Sequence, residues 1–263
     1  MRPSDGGYNL TEEFQSLWKI PGGGRDFTTL VEAVADINPE MRVRFTSPHP
    51  KAFPIPLLEL VASRPNICSS IHAPVQSGST RMLKAMRRNH TREAYLKLIG
   101  KMRATIPGVT ISTDMISGFC GETEEDHQDT LSLMREVEYD AAYMYAYSMR
   151  EKTHAHRKLQ DDVPEAVKKR RLAEVIDVFR STLDRKVQRE VGRQHLVLVE
   201  GTARRSNQQL QGRSDTNQRV VFDKVDGIVP GDYVLVEIES ATAQTLKGKA
   251  ISKSSIAEWS SGQ

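Results

Sequence analysis

The sequence predicts an α/β fold followed by a small antiparallel β-barrel. Strand and helix patterns alternate four times between residues 41 and 148, and this spacing is typical of βα units that build a parallel sheet or barrel. After Gly192 the pattern changes to five short strands separated by Gly, Asn and Asp turns, as in barrels of the size that bind oligonucleotides. We place the domain boundary near residue 190 and predict four segments: an irregular segment at 1–27, a partial (βα) barrel with a long closing helix at 28–190, a β-barrel at 191–256 and a tail at 257–263.

The composition is that of a chain with a packed core. Of its 263 residues, 38% are hydrophobic and 27% are charged, so disorder is not expected. No apolar run approaches the roughly 18 residues of a spanning helix, and the N-terminal MRPSDGGYNL has neither a signal-peptide core nor an arginine-rich import pattern. We therefore expect no membrane association. The net charge of +3 indicates little about partners.

The strands of the first half are short runs that end in polar loops. They are MRVRF (41–45), NICSSIHAPV (66–75), VTISTDMI (109–116) and AAYMYAYS (141–148). Four such strands form either a small open sheet or most of a larger barrel whose first strands are absent.

Helices are predicted between these strands, where apolar residues recur every three or four positions. They begin near Thr28, Pro56, Ser79, Thr91 and Glu124, and a long helix runs from about Asp162 to Glu190. The cations of the long helix, Lys168 to Arg171, are interpreted mostly as its solvated face.

The second half contains the strands of the predicted barrel. They are HLVLVEG (195–201), LQGRSD (210–215), RVVFD (219–223), DYVLVEIES (232–240) and LKGKAIS (246–252). This barrel is either a structural domain or an RNA-binding one. Aromatic residues are few, so RNA binding would depend on phosphate contacts with cations. The candidates are Arg204, Arg205, Arg213, Arg219 and Lys247.

Three successive strands of the first half end in polar or glycine-containing loops. The carboxyl ends of parallel strands meet at one edge, where α/β folds place their ligand loops. We therefore predict one ligand site at the mouth of the partial barrel. The candidate residues are Arg44 and Ser47 in RFTSPHP, His72, Gln76, Ser77 and Gly78 in HAPVQSGST, and Gly118, Gly121 and Glu122 in GFCGETEED.

The second and third of these loops also have a structural interpretation. Thr123 and Asp126 fit a capping box that begins a helix, and the surrounding acids lie where a helix dipole favours negative charge. His72 has the alternative of a structural histidine. Arg87 and Arg88, which follow the second loop, either contact RNA phosphates or belong to a solvated helix face.

The two cysteines, Cys68 and Cys120, do not form a disulfide framework or a four-thiolate zinc site. Their usual role in such a chain is that of small buried hydrophobic residues.

Several stretches, taken in order, resemble the radical S-adenosylmethionine methylthiotransferases. They are RVRFTSPHP, HAPVQSGSTRMLKAMRR, TDMISGFCGETEEDH and AYSMREKTHAHRKLQDDVP, and LVLVEGTARRS, LQGRSDTNQRVVF, GDYVLVEI and LKG resemble the TRAM domain of that family. The likeness runs from about residue 28 to 253 and is greatest to the mitochondrial branch found in animals. It implies the C-terminal part of a radical-SAM partial (βα) barrel followed by the TRAM β-barrel.

The resemblance also implies an activity and its cofactors. The family adds a methylthio group at carbon 2 of an N6-isopentenyladenosine next to a tRNA anticodon, using S-adenosyl-L-methionine and 4Fe-4S clusters, while the TRAM domain grips the tRNA. Carried over by motif position, the nine mouth residues named above would bind the cofactor or the substrate. Association with an activator subunit of cyclin-dependent kinase 5 and a mitochondrial location are implied as well, although a chain without a targeting segment leaves a cytoplasmic location open.

The departure from the family concerns its metal centres. The family holds one cluster by C-x₃-C-x₂-C and has three further cysteines in an N-terminal domain, and this sequence contains neither. Cys68 and Cys120 cannot reproduce that spacing, and a cluster needs three or four thiolates. We therefore expect no cluster on this chain, an N-terminally truncated form, and no activity of the chain alone. The alternative is a non-catalytic fragment that binds RNA or associates with the kinase regulator. Catalytic residues and metal ligands are not assigned.

Overall fold

The computed structural model describes residues 26–46 and 53–262. The first half alternates helices with three strands, and each predicted helix has a counterpart there. Its elements are α1 Phe27–Ala35, α2 Ile55–Ser63, β1 Ser70–His72, α3 Thr80–Ala85, α4 Arg92–Thr105, β2 Thr110–Ser117, α5 Glu124–Val137, β3 Ala141–Ala146, α6 His154–Lys158 and α7 Glu165–Val187. The predicted mixed α/β class is confirmed.

The three strands form a parallel sheet in the order β1-β2-β3. Ile71 pairs with Ile111, and Asp114 pairs with Tyr143. The predicted strand at 41–45 is reduced to one parallel bridge between Val43 and Ile67. The predicted strand at 66–75 is shorter too, because Pro74 has no N–H with which to continue the ladder.

The sheet has one covered face and one open face. Ile71, Ile111 and Met115 are fully buried in the helix-covered core. Successive side chains of a strand point to opposite faces, so the alternate residues project from the other side. Tyr143 and Tyr145 are more than half exposed there. The candidate site lies on the open face and at the carboxyl ends of the strands.

The second half is a closed barrel in the strand order β4-β5-β6-β8-β7. Its elements are β4 Gln194–Thr202, β5 Gln209–Arg213, β6 Arg219–Asp223, β7 Tyr233–Thr242, β8 Thr245–Ser254 and the short helix α8 Ile256–Ser261. The predicted five strands are confirmed. Four of the pairings are antiparallel, whereas β6 and β8 pair in parallel. The expectation of a wholly antiparallel barrel is corrected at that one pairing, which closes the barrel.

The loop between β5 and β6, residues 214–218, contacts the N-terminal edge of the sheet. The Asp215 carboxylate accepts a hydrogen bond from the Ser69 N–H at 3.1 Å, and the Thr110 hydroxyl donates to the Thr216 carbonyl at 3.0 Å. On the same side, Glu40 accepts hydrogen bonds from the first N–H groups of α8, those of Ile256 and Ala257. The barrel is therefore attached at the end of the sheet opposite the predicted mouth.

Within the described ranges, none of the helices combines the length and the apolar character that crossing a bilayer requires.

Candidate functional site

A pocket of about 630 Å³ lies at the carboxyl ends of β2 and β3. Its apolar wall is aromatic, since the rings of Phe119 and Tyr147 meet edge to face with centroids 4.8 Å apart. Gln76 contributes an amide, and Arg87 and Arg150 contribute cations. The remaining lining residues are Ala85, Met86, Ile116, Tyr145, Ala146, Ser148, Thr153, His154 and Ala155. An apolar cavity of this size with a few polar groups is typical of small-molecule sites.

A polar cluster lies below this pocket on the open face of the sheet. His72 Nδ1 lies 2.9 Å from the Ser112 hydroxyl, and His72 Nε2 lies 3.5 Å from a carboxylate oxygen of Asp114. The Tyr143 ring meets the imidazole edge to face at 5.8 Å. The sequence prediction named His72 but missed its three neighbours. Strand alternation could have predicted two of them. Ser112 and Asp114 alternate with the buried Ile111 and Met115, so they lie on the opposite, open face of the sheet.

The loop after β1 divides between the pocket and the core. Gln76 lines the pocket and has a positive φ of 76°. Ser77 is fully buried beside Thr130 of α5. A Cβ on Gly78 would lie 2.4 Å from the Asp129 carbonyl oxygen, so α5 requires a glycine at this position. Ser77 and Gly78 therefore hold the loop against a helix and do not line the pocket.

The two arginines after this loop have different surroundings. Arg87 is exposed and lines the pocket. Arg88 donates to the Pro74 carbonyl at 3.0 Å, and burial lowers its pKa although the nearby Asp114 carboxylate opposes the shift. Arg87 is thus placed for an external ligand, whereas Arg88 is partly withdrawn from solvent.

The loop GFCGETEED is held in place by its own hydrogen bonds. The predicted capping box at the start of α5 is confirmed, with Thr123 and Asp126 bonded to each other's backbone N–H groups. The Glu122 carboxylate accepts from the Gly118 N–H at 2.9 Å and pairs with Arg171 at 3.0 Å. Burial raises the pKa of Glu122, while the Gly118 N–H and the Arg171 charge oppose that rise. Glu122 therefore stabilises the conformation of this loop and does not face a ligand.

Helix α7 buries two of the cations that were interpreted as a solvated face. Lys168 contacts both oxygens of Asp161 at 2.6 and 2.7 Å and lies over the Tyr147 ring. Arg171 is buried against Glu122. The expectation is wrong for these two residues, because acids from other segments pair with them. Lys169 and Arg170 are exposed, as expected.

Of the first predicted loop, the described residues 44–46 are not among the pocket lining. The Arg44 guanidinium donates to the Ser214 carbonyl at 2.7 Å, at the N-terminal edge of the sheet. Ser47 lies outside the described residues. Gly121 donates its N–H to Asp162 at 2.6 Å, beside the pocket.

The two thiols stand at opposite ends of the sheet. Cys68 precedes β1 and lies near Asp215, and burial raises its pKa to about 12. Cys120 follows β2 and packs against Met82 and Phe119, and burial raises its pKa as well. One iron–sulfur cluster needs three or four converging thiolates. These two cysteines do not fit that requirement.

A group of possible metal ligands on α5 and α7 is already paired. One atom from each of Glu124, His127 and Glu174 lies within 4.8 Å of the others. Arg170 pairs with both carboxylates, at 2.7 and 2.6 Å, and His127 hydrogen-bonds Glu174 at 2.7 Å. These contacts form an ion-pair network between two helices, and they lower the pKa of Glu124 to about 2, with Arg170 as the largest cause.

The predicted RNA-binding residues of the barrel lie on its outer surface. Arg213 and Arg219 are cross-strand neighbours, and Lys247 lies opposite Val221 on the same face. Both arginines also have partners within the barrel, since Arg213 donates to the Asn217 carbonyl at 2.9 Å and Arg219 donates to the Gln211 side chain at 2.6 Å. Arg204 and Arg205 are exposed in the turn between β4 and β5.

A second cavity, of about 1130 Å³, lies between the sheet edge and the barrel. Two of its cations and one imidazole are already engaged. Lys186 pairs with Asp140 at 2.6 Å, His195 pairs with Glu190 at 2.9 Å, and Arg42 donates to two barrel carbonyls. This cleft is primarily a contact region between the two halves.

Comparison with known proteins gives the class of the chain. The Radical SAM superfamily matches residues 10–134, and the TRAM domain matches residues 188–251. The chain therefore combines a radical SAM segment with a TRAM domain, as the sequence resemblance predicted.

The individual relatives are more specific. The chain is 50% identical over 262 residues to the mouse mitochondrial tRNA methylthiotransferase CDK5RAP1, covering 95% of this chain and 45% of the relative. The human protein of the same name is 49% identical over 259 residues, covering 94% and 43%. The tRNA-2-methylthio-N(6)-dimethylallyladenosine synthase of Chlorobium phaeobacteroides is 52% identical over 223 residues, covering 85% and 50%. The chain spans about half the length of these curated relatives.

Proposed function

We propose that this chain supplies the cofactor- and RNA-binding part of a tRNA methylthiotransferase, which adds a methylthio group at carbon 2 of an N6-isopentenyladenosine next to the anticodon. The observation that carries the proposal is the aromatic pocket at the carboxyl ends of β2 and β3. The relatives named above support the reaction type, because tRNA methylthiolation is in their names.

The pocket suits a nucleoside, whether that of S-adenosylmethionine or that of the RNA. Phe119, Tyr145 and Tyr147 offer ring surface to a purine, and purine–aromatic stacking is worth about 1–3 kcal/mol per base. Gln76 offers an amide that both donates and accepts hydrogen bonds. S-adenosylmethionine, when bound, supplies the methyl group and the radical chemistry of the family. In this proposal, Gln76 orients it by hydrogen bonding.

The polar cluster on the sheet extends the same site. His72, Ser112 and Asp114 can hydrogen-bond a base edge that reaches below the aromatic wall. The carboxylate also keeps the imidazole in a fixed orientation, because His72 bonds Ser112 through its other ring nitrogen.

The cysteines limit what the chain can do by itself. Cys68 and Cys120 do not supply the ligands that a cluster needs. We propose that the chain alone does not methylthiolate RNA. After anaerobic reconstitution with iron and sulfide, we expect neither a cluster absorption spectrum nor turnover, and the appearance of both would contradict this.

The TRAM barrel is proposed as the main RNA grip, through Arg204, Arg205, Arg213, Arg219 and Lys247. A mitochondrial location follows from the names of the animal relatives and belongs to the same proposal. The second candidate function, a non-catalytic RNA-binding protein, is favoured by the position of the two thiols. Association with a cyclin-dependent kinase 5 activator remains a prediction of the resemblance.

RNA binding can be tested directly with the full chain. The probe is a fluorescent anticodon stem-loop RNA that carries N6-isopentenyladenosine, compared with the same RNA carrying adenosine, from 50 to 300 mM salt. We expect affinity to fall with salt, because phosphate contacts release counterions, and we expect tighter binding of the isopentenylated RNA. Absence of RNA binding would contradict the proposal, and equal affinity for both RNAs would favour the non-catalytic candidate.

A further inference from the structure

A group of exposed cations lies on the segment between β3 and α7, and one of them, Arg150, lines the pocket. We call Arg150, Lys152, Arg157 and Lys158 the mouth rim. All four side chains are exposed. Within the part of the chain that the structure describes, the side chains of these four residues make no ion pair and no hydrogen bond. The cations of α7 differ, because Lys168, Arg170 and Arg171 are all paired with acids.

The acids nearest to the mouth rim in sequence are engaged elsewhere. Asp161 pairs with the buried Lys168, and Asp162 accepts from the Gly121 N–H. The segment itself contains three exposed acids, Glu151, Asp161 and Asp162. Because Lys168 compensates Asp161, the four cations of the mouth rim are accompanied by two carboxylates, those of Glu151 and Asp162, and the segment carries a net positive charge.

The mouth rim is also adjacent to the place where a base would enter. Arg150, Thr153 and His154 line the aromatic pocket, and Arg87 reaches it from the end of α3. A nucleotide whose base lies against Tyr145 has a phosphate on each side. Cations from two different elements therefore border the same pocket.

We propose that the mouth rim binds RNA phosphates that flank the nucleotide whose base enters the pocket. This inference rests on the proposed function and adds to it a second RNA contact, separate from the TRAM surface. An acidic protein would also be attracted by four cations. RNA is favoured because the adjoining wall is aromatic, and grooves for single-stranded nucleic acid combine backbone cations with ring surfaces.

The test uses the same RNA titration with two matched variants. The rim variant carries Arg150→Gln, Lys152→Gln, Arg157→Gln and Lys158→Gln. The control variant removes four exposed cations of α4 and α7 by Lys101→Gln, Lys169→Gln, Arg180→Gln and Arg185→Gln, so that the net charge changes equally. Because α6 is short and exposed, the rim variant should fold, and circular dichroism checks this.

We expect the rim variant to flatten the salt dependence. The slope of log K against log salt is negative, and each lost phosphate contact reduces its magnitude by about 0.7 for single-stranded RNA. The magnitude of the slope should therefore decrease by about 2 to 3. The preference for the isopentenylated RNA should persist, because the loss of a phosphate contact weakens binding to all sequences about equally. The control variant should retain the wild-type slope.

The outcomes separate the two proposals. If wild-type protein does not bind RNA, both are overturned. If wild-type protein binds but the rim and control variants have equal slopes, the inference fails and the proposed function stands. If the rim variant instead loses binding of a polyglutamate probe while its RNA slope is unchanged, the mouth rim is an acidic-protein contact and the inference is likewise overturned.

Discussion

At the residue scale, Gly118 and Gly121 have similar backbones but different surroundings. Their φ values are +79° and +73°, where a side chain is strained by about 1–2 kcal/mol. A Cβ on Gly118 would lie 2.3 Å from Lys168 Cγ, whereas one on Gly121 would have nothing within 4 Å. We expect Gly118→Ala to lower the free energy of unfolding by about 2–4 kcal/mol, since overpacking adds to the strain, and Gly121→Ala by about 1–2 kcal/mol. Urea denaturation measures both, and equal losses would contradict the proposed crowding.

Asp126 gives the protein a pH dependence on the acid side. Burial would raise its pKa, but hydrogen bonds from Arg81, Ser79 and Thr123 outweigh it and hold the pKa well below the usual range. A lowered pKa stabilises the fold above the ordinary carboxyl pKa, and that stability is lost as the pH falls. We expect the wild type to exceed Asp126→Asn in unfolding free energy at pH 7. The difference should shrink by about 1.4 kcal/mol per pH unit below about pH 3.9. Urea denaturation at pH 7, 4 and 3 tests this, and a constant difference would contradict it.

At the element scale, α7 holds the loop GFCGETEED in place, and this loop contributes Phe119 to the pocket lining. Arg171 is the buried link, because it donates to both the carbonyl and the carboxylate of Glu122. Arg171→Met should cost about 3–5 kcal/mol, since it leaves a carboxylate buried without its partner. The neighbouring Arg170→Met should cost much less, because its ion pairs are exposed. Thermal and urea unfolding of the two variants make the comparison.

A double variant distinguishes the ion pair from simple packing. In Arg171→Met with Glu122→Gln, the buried charge is removed along with its partner, so the total cost should be smaller than the sum of the two single costs. Additive costs would mean that the charge pair between Arg171 and Glu122 contributes nothing to stability.

At the scale of the whole molecule, the elements with long, regular patterns were predictable from the sequence. The alternation in VTISTDMI predicted β2 to within one residue at each end. The helices α6 and α8 were missed, because five or six residues are too few for a helical period to stand out. Their caps, Thr153 and Ser255, were the available signals.

The site was predictable in position but not in its contacts. Polar loops at the ends of strands predicted a mouth, and Gln76 and Arg87 do line the pocket there. The burial of Lys168 and the engagement of Arg44 with Ser214 depend on partners far away in sequence. A pattern within one segment carries no information about such pairs. The mouth rim was overlooked because exposed cations look alike in a sequence until their neighbouring acids are placed.

The attachment of the barrel to the sheet depends strongly on Arg42. Its guanidinium donates to the carbonyls of Leu196 in β4 and Arg213 in β5, at 2.5 and 2.6 Å, and it stacks over the Tyr233 ring at 5.1 Å. Arg42→Met would leave both carbonyls without this donor. Each partly buried carbonyl that loses its hydrogen bond lowers the free energy of unfolding by about 1–3 kcal/mol. We expect amide hydrogen exchange to accelerate in β4, in β5 and in the 214–218 loop, while α5 is unaffected. The exposed Arg204→Met is the control, and unchanged exchange in Arg42→Met would mean that the Asp215 and Glu40 contacts suffice to hold the two halves together.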